Sequence, residues 1–358
     1  MDKLHLSKVR DALIDVAKDA GQWVLEVNEK HLKSITKTNS KYLLLKCYIH
    51  AKLLTHPLTG TEFVAKTDKA VEAFIKKQLS LWYPLVAFMG EESYKAGQTI
   101  RDDIPTFVVD PIDSTSNLVH HLPDVCVSIA LVLGNQPIIG VVYNPFNDEL
   151  WAGHRGGGAW TEKGNALAKM LPLYAPPFEL DYLNGLSRLT GACIGVDWGT
   201  DREGPEFDLN LKVFTSLART QWTGGKFVNS LRCVGSAAIA ICRTAAGQQD
   251  MFWECGAWAW DVAAAWCILR EAGGVMVDGG VPGNWNPPID NRRYLAVRPA
   301  FAGQREAVEE FWSVLGDSRS QYGPPSKEGK YMEVFSTEDE STEGEFTEVG
   351  SSEGEFTD

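Results

Sequence analysis

One stretch constrains the chain more than any other: Val108-Val109-Asp110-Pro111-Ile112-Asp113-Ser114-Thr115-Ser116-Asn117. Phe107, Val108 and Val109 form a short apolar run of the kind that fills a buried strand, and Asp110, Pro111 and Asp113 are expected to end it with turn chemistry. Two carboxylates are thereby delivered to the end of a strand. Pro111 lacks an N–H and fixes its own φ, so the link between the aspartates is stiff and its carbonyls, that of Ile112 included, can point outward beside them. Such oxygens suit a hard divalent cation. Ser114, Thr115, Ser116 and Asn117 are residue types favoured at a helix N-terminus, where unpaired backbone N–H groups can hold a phosphate. A cation site and an anion site therefore adjoin. The same residues also suit an ordinary capped loop, and alone the stretch would decide nothing.

Two further acidic segments decide it. Gly90-Glu91-Glu92-Ser93 lies upstream, and Trp258-Ala259-Trp260-Asp261-Val262-Ala263-Ala264 lies downstream, ahead of Arg270-Glu271-Ala272-Gly273-Gly274. Together the three segments resemble the inositol monophosphatase family of magnesium-dependent, lithium-sensitive phosphatases. Within it the chain looks most like fungal proteins, including those associated with quinate utilisation. The resemblance covers roughly residues 7–315. It implies a layered α/β fold, an alternating αβαβα sandwich of the inositol monophosphatase and fructose-bisphosphatase type, working as a homodimer. Aspartyl-phosphate phosphatases are excluded, because their motif spaces its aspartates by two and this one by three.

Hydrolysing a phosphate monoester requires neutralised phosphate charge, hydroxide near neutral pH and a stabilised leaving alkoxide, all of which bound metal ions can supply. Matched by motif, Glu91, Asp110 and the Ile112 carbonyl would bind a first Mg²⁺, while Asp110, Asp113 and Asp261 would share a second. The resemblance further implies that Thr115, oriented by Asp68, accepts the proton of a water held near Glu91. Phosphate would lie on the N–H groups of Ser114 and Thr115. Glu254, with Asp113, Ala237 and Asp261 nearby, would bind the substrate's hydroxyls. Plainer readings exist: Asp261 could be only a helix cap, and Glu254 a solvated loop residue. His120 and His121 are read as loop or wall residues, since magnesium rarely recruits histidine.

Three positions depart from the common family pattern. Ser114 replaces a frequent glycine, and its Cβ would crowd the phosphate loop if φ were positive. Leu118 replaces an aromatic, and Ala257-Trp258-Ala259 a segment that often holds histidine. Substrate identity is what these changes leave open. Inositol monophosphate or a close polyol phosphate is the favoured small-molecule substrate. A nucleotide 3′-phosphatase or a sugar bisphosphatase on the same fold is the alternative, although residues 251–260 offer no basic residue for a second phosphate. A regulatory protein that kept the fold and lost turnover ranks third.

Composition sets the remaining bounds. With 358 residues, 44% of them apolar and 12 tryptophans, the chain can bury a large core. Its net charge of −13 argues against nucleic acid as a partner, and ten acids without a base fall in residues 331–358, which leaves −3 for the rest. Seven scattered cysteines without a C-x-x-C pair fit free thiols in a cytoplasmic protein, and no run reaches membrane-spanning length.

The expected organisation is an N-terminal α+β subdomain over 1–185, a C-terminal α/β subdomain over 186–318 and a disordered acidic tail over 319–358. Residues 7–29 read as an amphipathic core helix, and a second helix is expected from Thr67 or Asp68 to Leu79. Strands are expected at 85–88, 125–133, 137–142, 194–197, 251–254, 275–277 and 295–297, with helices after Arg232, from Asp261 and over 303–315. The cluster Gly156-Gly157-Gly158 reads as a bulged hairpin. Residues 41–63, basic and apolar without a clean period, look inserted and are either a loop beside the site or incidental sequence.

Overall fold

The computed structural model describes residues 3–32, 60–178 and 188–324. Positions 41–59 of the apparent insertion and 325–358 of the acidic tail lie outside the described residues.

Helix α1 (Lys3–Leu32) buries Val9, Leu13, Val16, Ala17, Ala20 and Val24, the stripe that its periodicity predicts. Helix α2 spans Gly60–Trp82 and presents Val71, Ile75 and Leu79 beside α1. It starts earlier than expected. Thr67 and Asp68 sit inside the helix and do not cap it, because Glu62, Ala65 and Lys66 are good helix formers that carry the pattern further back. Positions 60–63 of the apparent insertion are thus its first turn.

Seven strands make the first sheet in sequence order: β1 (Ala87–Gly90), β2 (Thr106–Asp113), β3 (Cys126–Leu133), β4 (Gln136–Asn144), β5 (Glu149–His154), β6 (Gly158–Lys163) and β7 (Lys169–Met170). Only the β1–β2 pair within it is parallel. Short helix α3 (Thr115–Val119) follows β2. A second sheet is built from β8 (Cys193–Val196), β9 (Ser230–Arg232), β10 (Met251–Cys255), β11 (Val275–Asp278) and β12 (Arg293–Val297). Its strand order is β11-β12-β10-β8-β9. Between and after them come α4 (Gly204–Ala218), α5 (Ala237–Ala246), α6 (Ala259–Glu271) and α7 (Gln304–Leu315).

Strand alternation sorts residues among three cores. On β2, Phe107 and Val109 face α1 and α2, while Val108 faces α5 and α6. On β10, Phe252 joins the same inner layer, while Met251, Trp253 and Cys255 turn toward α4 and α7. The layers therefore run helix, sheet, helix, sheet, helix. The inner pair α5 and α6 is covered on both sides, which explains why its sequence is apolar almost all round. A Cβ on Gly140 of β4 would lie 2.0 Å from the Ala264 carbonyl, so glycine is what lets α6 approach the first sheet.

Two further boundaries differ from expectation. Strand β2 does not stop at Asp110 but continues to Asp113 through an irregular step opposite β3, where a proline without an N–H is tolerated. Residues 319–324, expected to belong to the tail, are bonded to the body. Ser320 is buried, and Tyr322 packs against the third core. The glycine cluster is a hairpin connection, and the N–H groups of Gly156 and Gly158 bind Glu271 at 2.9 and 3.0 Å.

Candidate active site

Four segments distant in sequence meet where β1 and β2 end beside the start of α6. Glu91 follows β1, Asp110 and Asp113 lie on β2, Asp261 sits in the first turn of α6, and Asp68 reaches in from α2. The irregular step in β2 makes this possible: Ile112 turns into the outer core while Asp110 and Asp113 both take the inner side.

Three of the aspartates are each anchored through one oxygen. Asp110 Oδ1 accepts the Ile112 N–H at 3.0 Å. Asp113 Oδ2 accepts the Ser236 hydroxyl at 2.6 Å and the Ala238 N–H at 3.0 Å, with the Cys126 thiol at 3.6 Å. Its carboxylate therefore lies against the start of α5, beside Ala237, where the helix dipole favours negative charge. Asp261 Oδ2 accepts the Trp258 N–H at 2.7 Å, so the capping role foreseen for it is real but is exercised from the third helical position.

The charges are unbalanced. Loss of water, followed by repulsion from Glu91, Asp113, Asp261 and Asp68, holds Asp110 well above the ordinary carboxylate range. Asp261 is raised in the same way by desolvation, Glu91 and Asp113, with Arg292 opposing. Desolvation and Glu92 push Glu91 to about 7, against a hydrogen bond with Asp110. Glu91 as a residue is exposed. Asp113 rises to about 6 mainly by desolvation, with the Ser236 bond holding it down. Asp68 is pushed to about 9 by desolvation and then by Glu92, Glu91 and Glu72.

A divalent cation fits this set by chemistry, since the donors are hard carboxylate oxygens whose mutual repulsion it would relieve. Asp68 Oδ1 and Ser114 Oγ are also buried without a hydrogen-bond partner. Among the described residues no three His, Cys, Asp or Glu side chains converge on one point as they stand. Like charges oppose such convergence unless a cation offsets them.

The remaining expected residues are spread around this cluster. Ser114 has φ 73°, the left-handed conformation that glycine adopts freely, and Thr115 is the exposed first residue of α3. Glu254, on the inner face of β10, is raised by desolvation and by Asp197, Asp261 and Asp113, and so belongs to the same field. Leu118 is core, and both His120 and His121 are exposed. Three contributors escaped the sequence reading. Asp197, just past β8, accepts the Cys233 thiol and the N–H groups of Val234 and Gly235 at 3.0–3.2 Å, which fixes the approach to α5. Its position at a strand's end is the same signal that marked Asp110. Glu72 accepts the Glu92 N–H at 2.7 Å and holds the loop that carries Glu91. Arg292 lies with its guanidinium carbon 3.8 Å from the Trp258 ring centroid, and nothing local in the sequence marks it.

Carboxylates gathered at strand ends beside helix starts, inside a five-layered sandwich of alternating helices and sheets, make up the candidate site. The family model described as the inositol monophosphatase family matches residues 5–315, and the chain belongs to that family. It is an enzyme with inositol-monophosphatase-like hydrolytic activity. Inositol monophosphatase 2 of Saccharomyces cerevisiae is 39% identical over 258 residues, covering 71% of this chain and 82% of its own length. The quinic acid degradation cluster protein x of Neurospora crassa is 32% identical over 325 residues, covering 86% of this chain and 91% of its own. Inositol monophosphatase II of Staphylococcus aureus superposes with a TM-score of 0.62 at 21% identity, over 87% of this chain and 98% of that one, which shows the shared fold.

Proposed function

We propose that the chain hydrolyses a phosphate monoester, inositol monophosphate or a close polyol phosphate, to the alcohol and inorganic phosphate with Mg²⁺ and water. The observation that carries this reading is the crowding of Glu91, Asp110, Asp113 and Asp261 with unbalanced charge beside the start of α3. These four, with the Ile112 carbonyl, would hold Mg²⁺. When bound, the metal supplies positive charge to the phosphate and acidifies water.

The chain's own groups do the rest. Thr115, oriented by Asp68, accepts the proton of the attacking water, and Asp68 Oδ1, buried without a partner, is left to meet the Thr115 hydroxyl once a cation offsets the neighbouring acids that keep Asp68 protonated. The N–H groups of Ser114 and Thr115 hold the phosphate oxygens, and the left-handed turn at Ser114 aims them. Glu254, Asp113, Ala237 and Asp261 line the side where the alcohol sits and receive its hydroxyls. A single phosphate is favoured, because Arg292 is engaged with the Gly256 carbonyl at 2.8 Å and lies against two aromatic rings.

Inhibition by lithium and homodimeric assembly extend the same reading. A cytoplasmic setting agrees with six free cysteines among the described residues, where no helix is long and apolar enough to cross a membrane. Phosphate release from inositol monophosphates, sugar bisphosphates and nucleotide 3′-phosphates, with Mg²⁺ and with a chelator, tests the proposal. Metal-dependent release from inositol monophosphate is the expected result. A preference for a bisphosphate or a nucleotide, or release that ignores the chelator, would overturn it.

A further inference from the structure

Residues 316–324 lie beyond the stretch matched to the family, which ends at 315, and fold back across the second sheet. Lys212 donates to the Leu315 carbonyl at 2.6 Å and to Ser318 Oγ at 2.8 Å. Glu206, buried on α4, accepts the Ser320 hydroxyl at 3.0 Å and the N–H of Gln321. Arg293 donates to the Tyr322 carbonyl at 2.5 Å, and the Tyr322 hydroxyl donates to Asp201 at 2.7 Å. These bonds hold one aromatic ring in place.

That ring meets Arg292. The guanidinium carbon lies 4.7 Å from the Tyr322 centroid and 3.8 Å from that of Trp258, so the cation bridges the two. Arg292 has φ 61°, a backbone conformation a non-glycine residue keeps only where its surroundings enforce it. It also grips the turn between β10 and α6: its Nη2 donates to the Gly256 carbonyl at 2.8 Å, and its own carbonyl accepts the Gly256 N–H at 2.7 Å. A Cβ on Gly256 would lie 3.1 Å from the Tyr322 ring.

This turn is where the site is set. It joins Glu254 to Asp261, and Trp258 gives its N–H to Asp261 Oδ2. The Trp258 ring stacks on Trp260 at 5.1 Å and 11° and meets Tyr94 at 5.2 Å. Tyr94 in turn donates its N–H to the Glu91 carbonyl at 3.2 Å. An unbroken series of contacts thus leads from the C-terminal segment to two of the acids.

We propose that Tyr322 is a positioning residue that, through Arg292 and Trp258, sets the Asp261 carboxylate and the Glu91 turn, and so tunes the affinity of the acidic cluster for its divalent cation. The proposal rests on the reading of Asp261 as a Mg²⁺ ligand. A segment that merely stabilised the fold would lower the melting temperature of a Tyr322 variant without changing metal binding by the folded enzyme. A positioning residue moves the metal affinity itself, because small displacements of a ligand are costly.

The test uses the full chain, stripped of metal, as wild type, Tyr322→Ala, Tyr322→Phe and Asp261→Asn. Mg²⁺ binding is read by calorimetry and, separately, as the Mg²⁺ concentration that half-activates phosphate release. Tyr322→Ala is expected to raise the Mg²⁺ dissociation constant and the half-activating concentration about fivefold or more, while the KM for inositol monophosphate at saturating Mg²⁺ stays within about twofold. Tyr322→Phe, which keeps the ring, is expected to return both to within about twofold of wild type. Should Tyr322→Ala fail to fold, Tyr322→Leu replaces it with the same expectation. Wild-type metal affinity in the folded Ala or Leu variant overturns the proposal, whatever its melting temperature. If Asp261→Asn loses metal binding while those variants keep it, Tyr322 alone is dismissed. If Asp261→Asn binds Mg²⁺ like wild type, the ligand reading falls and takes this proposal with it.

Discussion

Asp278 ends β11 in the second sheet, fully buried, and receives Nε and Nη2 of Arg293 at 3.1 and 2.9 Å, the N–H groups of Gly280 and Val281, and the amide of Asn284. Asp110 is buried as deeply on β2 of the first sheet, but it receives the N–H of Ile112 and faces four other carboxylates. Both are aspartates on strands of one molecule. The first has its charge matched and its lone pairs filled, and it holds a turn together. The second is set among like charges, which stabilises nothing until a cation arrives. Burial alone therefore does not distinguish a structural acid from the acid proposed to bind metal, and the completeness of its partners separates the two.

Substitution should separate the two roles most sharply in rate. Asp110→Asn is expected to reduce kcat/KM for inositol monophosphate by about a thousandfold or more, because it removes a charge the proposed metal site requires. Its metal-free melting temperature should hold or rise, since a buried carboxyl crowded by like groups gives way to a neutral amide. A variant that kept a tenth of the rate, or melted well below wild type, would place Asp110 in the same category as Asp278.

The converse experiment is Arg293→Ala, which leaves Asp278 buried without its cation. It is expected to destabilise the fold by about 3–5 kcal/mol in urea unfolding, with the remaining folded protein still able to turn over. A loss under about 1 kcal/mol would mean that Gly280, Val281 and Asn284 suffice for Asp278.

A smaller effect concerns pH. Asp113, Glu91 and Asp68 are held at about 6, about 7 and about 9, above the value of about 4 for carboxyls in an unfolded chain. The native state therefore keeps protons that the unfolded state has released. The stability this contributes is complete below about pH 4 and is lost as pH rises through the three folded values. The metal-free melting temperature should fall between about pH 5 and about pH 9, and Mg²⁺ should flatten that slope by favouring the ionised forms. An upward slope without metal would contradict the proposed repulsion.

The smallest change expected is at the turn between the two functions. Ser114→Gly removes a Cβ from a residue at φ 73° and a buried hydroxyl without a partner, and should stabilise the protein by about 1 kcal/mol in thermal unfolding. Destabilisation would show that the Ser114 hydroxyl has a structural partner after all.

Asp110 and Asp113 were legible as candidates because they close the apolar run 107–109, whereas Glu91 and Asp261 were picked out by the resemblance of their segments to the family. Helix α4 was not legible, although Leu209, Val213 and Leu217 sit four apart, because its flanks carry glycine, proline and charge that read as loop. The start of α2 was misjudged at Thr67 and Asp68, where cap-forming residue types were overruled by continued helix propensity and by packing.

What the sequence determined by itself was local: which residues alternate along β2 and β10, which stripes of α1 and α7 are apolar, and which acids stand at the ends of buried runs. Those depend on neighbours within a few positions, and backbone geometry fixes them. What only the tertiary structure decided was which charge finds a partner. Arg293 neutralises Asp278 across 15 residues, Ser236 reaches Asp113 across 123, and Tyr322 arrives beside Arg292 from beyond the last helix. Electrostatic pairing is set by distance in space, and only the folded layers bring those groups within it.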